Sequence, residues 1–191
     1  SVERSRGVTN IEEDLERIIN ELVPYNPDII CADIGDSGNY VYKLQEYFGL
    51  GRVYGVKVNS NPRSNGQIQP TWSENNGMVT IDKLTQNKRH ISDMKMGRLG
   101  FYMDRDKDMS LYIEHWMNVV IRDEEDDRTG EVYQVITNKG DDHYAQSSVY
   151  SMVGMDHILE PFIVQEQENA FAYTTINTVA PQPTDIFLRG Y

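Results

Sequence analysis

The chain has 191 residues and carries 18 Lys and Arg against 30 Asp and Glu, a formal net charge of −12. That length supports one domain with one good core. The acid excess argues against a dedicated electrostatic DNA-binder, whose phosphate contacts come from Lys and Arg, although clustered carboxylates can hold divalent cations that then meet a phosphate. No apolar run approaches the ~20 residues of a membrane span, and no signal peptide is visible. The single cysteine, Cys31, cannot form an internal disulfide; a buried thiol on a strand in a reducing cytosol is the expectation.

After a polar opening, the first helix is predicted from Asn10 as N-cap with Glu13 three residues on. Ile11, Leu15, Ile18, Ile19 and Leu22 recur at helical spacing, and Pro24 ends the helix. The run Asp28-Ile29-Ile30-Cys31-Ala32-Asp33 reads as a strand buried on both faces. Gly35 and Gly38 flank a tight loop. A second helix follows with Val41, Leu44, Tyr47 and Phe48 on one side, stopped by Gly49 and Gly51. Val53–Val58 is the next strand, and the βαβ spacing makes the two strands parallel.

Residues 59–77, rich in Asn, Ser, Pro and Gly, are expected to form a long loop, with a short strand at Met78–Ile81. A basic stretch follows, containing Lys83, Lys88, Arg89, His90, Lys95 and Arg98. Ser110–Met117 is predicted helical, and Asn118–Arg122 with Glu131–Thr137 form a hairpin around the charged turn 123–130. The last helix opens near Asp142 with Ala145, Val149, Met152 and Val153 on its apolar face. Residues 160–191 lose periodicity and are expected to be an extended or disordered tail, leaving 1–159 as the domain. His90 and His157 read as isolated and exposed, Trp72 and Trp116 as packing or loop residues, and the acidic run 123–127 as a solvated hairpin tip.

Two acidic positions could carry chemistry. Asp33 ends a buried strand before a glycine turn, the sheet edge at which open α/β folds bind ligands; it could equally be a loop aspartate capping the next helix. Asp141-Asp142-His143 opens a helix, where acids also favour the positive end of the dipole. Taken together they are the minimum for a hard divalent cation, which takes one or two carboxylates with waters and substrate phosphate. There is no P-loop, GxSxG, CxxC or HExxH motif.

The segments PDIICADIGDSGNYVYKL and FGLGRVYGVKV, then NKGDDHYAQSSVYSM, resemble the second and third motifs of the C-terminal nuclease domain of tailed-phage terminase large subunits. The resemblance spans roughly residues 10–156. It implies an α/β, ribonuclease-H-like fold with a central mixed β-sheet and flanking helices. It also implies a DNA endonuclease using Mg2+ or Mn2+ in a two-metal site. Asp33 and Asp142 would be metal ligands, with Asp141 as the near alternative and His143 as an adjunct to Asp33 and Asp142 in catalysis. Lys83, Lys88, Arg89 and Lys95 would meet the DNA backbone. The partners implied are concatemeric double-stranded viral DNA, an N-terminal ATPase domain in the intact protein, the small terminase subunit and the portal, in the host cell cytoplasm and away from any membrane. The pattern departs in two places. The opening strand that carries the family's first aspartate is expected to be missing, and Gln146 stands where some members place another acid. A non-catalytic docking module for the portal or small subunit is the competing expectation.

Overall fold

A computed structural model describes residues 11–35, 39–60, 69–100 and 109–177. The predicted N-cap Asn10, Gly38, residues 61–68 of the 59–77 loop and the last part of the tail lie outside them. The chain divides into two units, Ser1–Met155 and Asp156–Tyr191. Among the described residues no helix is long and apolar enough to cross a membrane.

The fold is α/β with a mixed central sheet and flanking helices. Helix α1 (Ile11–Leu22) passes through a 3-10 turn, Val23–Tyr25, that contains Pro24. It leads into β1 (Ile30–Asp33), α2 (Asn39–Phe48) and β2 (Val53–Asn59). These are followed by β3 (Thr71–Ser73) and β4 (Met78–Asp82). The strand order is β1-β2-β4-β3, with the first two pairings parallel and β3 antiparallel to β4. The βαβ expectation is met, because a short crossover helix returns the chain to the same sheet.

Pleat alternation divides the strand residues between two faces. Ile30, Ala32 and Val53 pack with Val41 and Leu44 of α2 and with Leu15, Ile18 and Ile19 of α1. Ile29, Cys31, Tyr54, Val56, Val58, Val79 and Ile81 pack on the opposite side with Val149, Tyr150 and Val153. Those last three belong to α5 (His143–Asn177). At Gly154 the helix and β1 come so close that a Cβ would stand 3.0 Å from Cys31 Sγ and 3.1 Å from Ile29 Cγ2. Burial there pushes the Cys31 thiol up to about 11, so it stays protonated and a poor nucleophile at neutral pH.

Several expectations are corrected. In α2, Tyr47 is exposed and Gln45 is buried in its place. The buried stripe follows residues 41, 44, 45 and 48, while Tyr47 stands edge-on to Phe48 at 4.8 Å on the rim. Gln45 Nε2 donates to Val53 O at 3.2 Å and Gly77 O at 2.9 Å, which satisfies its burial. Part of the expected 59–77 loop is β3, whose Trp72 packs edge-on to Tyr54 at 4.9 Å. The basic stretch is a helix, α3 (Lys83–Lys95), capped by Asp82 accepting from Thr85 N–H at 2.8 Å. Its buried face is polar, made by Gln86, Asn87 and His90, so hydrophobic periodicity could not reveal it.

Helix α4 (Ser110–Met117) forms as expected. The hairpin strands are longer than expected: β5 (Val119–Glu125) and β6 (Val132–Asn138) draw Asp123, Glu124 and Glu125 into the ladder. Charged strand residues are supported by their neighbours: Arg122 donates to Glu124 at 2.6 Å, and Gln134 to Asp123 at 3.0 Å across the ladder. Helix α5 continues past residue 160, through Pro161, to Asn177. The tail expectation therefore fails for 160–177, where Gln, Glu and Ala supply good helix propensity.

Candidate functional site

Asp33 is the last residue of β1 and is exposed. The strand alternation that sends Ile29 and Cys31 toward α5 places Asp33 on that same side. Its Oδ1 accepts from Gly35 N–H at 3.2 Å, a local turn contact; Gly35 has φ of 56°, which glycine adopts freely.

Asp142 immediately precedes α5 and is buried at 9% relative exposure. Its Oδ2 accepts from Asn138 Nδ2 at 2.7 Å and faces Lys83 Nζ at 3.4 Å. Both donors converge on one oxygen. Among the described residues, none donates to Oδ1. Lys83 begins α3 and Asn138 ends β6, so three elements meet at this carboxylate.

One turn below, α3 and α5 are tied again. Asn87 and Gln146 exchange amide hydrogen bonds, Gln146 Nε2 to Asn87 Oδ1 at 3.2 Å and Asn87 Nδ2 to Gln146 Oε1 at 3.4 Å. Asn87 also donates to the Lys83 carbonyl at 2.8 Å. Lys83 with Asp142, and Asn87 with Gln146, thus form an ionic rung and an amide rung at helical spacing.

Tyr150 lies about two turns into α5 and is buried. Its hydroxyl ionisation is driven up first by burial, then by the charge of Asp33, then by that of Asp142.

Asp141 and His143 sit at the exposed mouth. His143 Nε2 lies 3.7 Å from Asp141 Oδ1, with side chains 51% and 73% exposed; a pair that open to water has little energetic weight. The Asp141 carbonyl accepts from Asn118 Nδ2 at 3.0 Å. His115 of α4, itself buried, accepts the Tyr144 N–H on Nδ1 at 3.1 Å. It thereby satisfies one of the donors that a helix start leaves unpaired, and it fixes the unprotonated nitrogen of that imidazole.

The four proposed DNA contacts all lie on α3, but not on one face. Lys88 and Lys95, seven residues apart, are separated by about 20° around the axis. Arg89 is turned away from Lys88 by about 100° and from Lys95 by about 120°, and Lys83 points into the site. Lys88 Nζ donates to Gln134 of the hairpin at 2.6 Å. The strand-end Asp82 is buried, but alternation sends it to the face away from Asp33 and it caps α3. His90, expected exposed, is only 3% exposed and stacks on Trp116 at 4.8 Å with 13° between the rings. His157 is half-buried.

Lys83 as partner of Asp142, with Asn138, Asn87, His115 and Tyr150, was not visible as part of a site in the sequence. The only available signal was Gln146 one turn after Asp142.

Among the described residues no group of three or more His, Cys, Asp or Glu side chains converges as a metal cage. The donors present fit a hydrated hard cation rather than an all-protein cage: Asp142 with Oδ1 free of donors among the described residues, and the exposed Asp33. No family model, curated protein or solved structure matches this chain.

Proposed function

We propose that the chain is a divalent-metal-dependent DNA endonuclease domain of ribonuclease-H-like type, akin to the nuclease half of a viral packaging terminase. The observation that carries this reading is the buried Asp142 at the meeting of α3, β6 and α5, its Oδ2 held by Asn138 and Lys83 and its Oδ1 without a donor among the described residues. The order of the sequence motifs supports it.

In this reading Asp33 and Asp142 bind Mg2+ or Mn2+, and Asp141 stands by at the rim. When bound, such ions make water a competent nucleophile at neutral pH and neutralise charge on a phosphodiester. The chain's own residues then orient and hold. Asn138 and Lys83 keep Asp142 aimed, the Asn87–Gln146 rung sets the spacing of α3 and α5, and Tyr150 with Val149 forms the dry floor. His143, exposed beside Asp141, is placed to accept or deliver a proton at Nε2. Lys88, Arg89 and Lys95 offer phosphate contacts outside the site. In the intact protein the substrate would be concatemeric viral duplex DNA in the host cytoplasm, with the ATPase domain, small subunit and portal as partners.

Nicking of supercoiled plasmid in Mn2+ tests the reading. The chain should nick, and Asp33→Ala or Asp142→Ala should lower the rate at least a hundredfold. Inertness of the chain, or nicking unchanged in both variants, rejects it.

The absence of a three-acid group among the described residues favours a second reading: a nuclease-like docking module whose acidic surface meets a basic partner. Calorimetry separates the two, since a docking module has no need to take up Mn2+ at Asp33 and Asp142.

A further inference from the structure

The contacts around Asp142 are lopsided. An ion pair serving stability alone gains most by sharing donors between both carboxylate oxygens. Here Lys83 Nζ and Asn138 Nδ2 both meet Oδ2, at 3.4 and 2.7 Å, and among the described residues none meets Oδ1. The Lys83 and Asp142 side chains are only 19% and 12% exposed, so neither has much room to wander. The backbone beneath Lys83 is pinned as well. Its carbonyl accepts from Asn87, whose amide pairs with Gln146 one turn below Asp142. The ammonium is therefore held by the fold beside one oxygen of the carboxylate.

We propose that Lys83 is a positioning residue for Asp142, which with Asn138 occupies Oδ2 and leaves Oδ1 as the single oxygen open to a divalent cation. This rests on the metal reading above. It moves Lys83 from the DNA-contact set into the centre and gives it two opposed effects. Its positive charge offsets that of the buried Asp142 when the acid stands alone. The same charge repels an arriving divalent ion and denies it the second oxygen. Lys83 thus weakens metal capture while fixing the direction in which Asp142 points.

The opposition gives a signature that a merely structural lysine lacks. Neutral replacement removes the repulsion and frees Oδ2, so metal binding tightens; the lost aim makes cleavage slower. Repulsion between a divalent ion and an ammonium a few ångströms apart at a partly hydrated site corresponds to about a tenfold change in affinity.

The test is calorimetric titration of Mn2+ alone into the full chain, in four forms: native, Lys83→Met, Lys83→Gln and Lys83→Arg. Folding is checked by circular dichroism, and plasmid nicking is run in parallel. Both neutral variants should bind Mn2+ about tenfold more tightly and nick no faster than native. Arginine should keep the native dissociation constant. Equal or weaker Mn2+ binding in the neutral variants overturns the role of Lys83 and leaves the metal reading standing, as does unfolding of both neutral variants, which would make Lys83 a structural tie. A native chain that takes up no Mn2+, or whose uptake survives Asp33→Ala and Asp142→Ala, overturns the metal reading and the role of Lys83 with it.

Discussion

The two faces of the sheet share the same strands and end differently. On the α1–α2 side, Val41, Leu44 and Val53 close over an apolar layer, and the buried amide of Gln45 is satisfied by two backbone carbonyls. On the α5 side, an apolar floor of Tyr54, Val56, Val79, Ile81, Val149 and Val153 gives way upward to Tyr150, Gln146 and Asp142. The first face only needs to exclude water. The second buries polar groups whose partners come from α3, far away in sequence, and from the nearby end of β6. Such groups are costly unless every partner is in place. The candidate site thus stands where the apolar alternation runs out.

The largest expected effect breaks both faces equally and then separates them. Ile81→Ala and Leu44→Ala each remove a nearly fully buried aliphatic side chain, and each should cost about 3 kcal/mol in urea denaturation. Ile81 lies on the floor beneath α5 and Leu44 does not. Only Ile81→Ala should also weaken Mn2+ uptake. Equal metal affinity in the two variants would show that the two faces are not functionally distinct.

A smaller effect sharpens the polar side itself. Asn87→Leu or Gln146→Leu leaves one buried amide without its reciprocal partner and should cost about 2 kcal/mol. The double replacement should cost less than the sum of the singles, because neither amide is then stranded. The coupling in a double-mutant cycle measures the rung directly. Strict additivity would mean the two amides do not act as a pair.

These contrasts also explain what the sequence could tell. The α1–α2 face was legible because Leu15, Ile18, Ile19, Val41 and Leu44 follow helical spacing and residues 53–58 read as an apolar strand. Asp33 and Asp142 stood out as acids at element ends. Helix α3 did not stand out, because its inward positions are Gln86, Asn87 and His90: a polar buried face has no hydrophobic period. The same cause hid the site's supporting shell. Asn87 and Gln146 acquire meaning only through each other, and Lys83 looks like any surface lysine until α5 is docked beside it. Strand β3, three residues long, is too short for alternation to register. The continuation of α5 was missed because residues 160–191 show no hydrophobic period and carry three prolines.

His90 provides the smallest and most selective test of that polar interior. It lies on α3, is 3% exposed and stacks flat on Trp116 of α4. Burial lowers its pKa from the usual 6.5, and the nearby charge of Asp93 only partly counters this. The neutral imidazole is therefore favoured in the folded chain, while the unfolded chain takes up a proton as pH drops through about 6.5. Between the two pKa values the unfolded state binds more protons, so stability rises with pH there. The contribution is fully present above about 6.5 and is lost as pH falls toward the lowered folded value, below which the loss levels off. His90→Phe keeps the stack and removes the titration. Urea midpoints compared between pH 7.5 and 5.5 should fall less in His90→Phe than in the native chain. A native midpoint that falls no further than the variant's over that interval would show that His90 is not held neutral by its burial, and that the α3 interior is wetter than its packing implies.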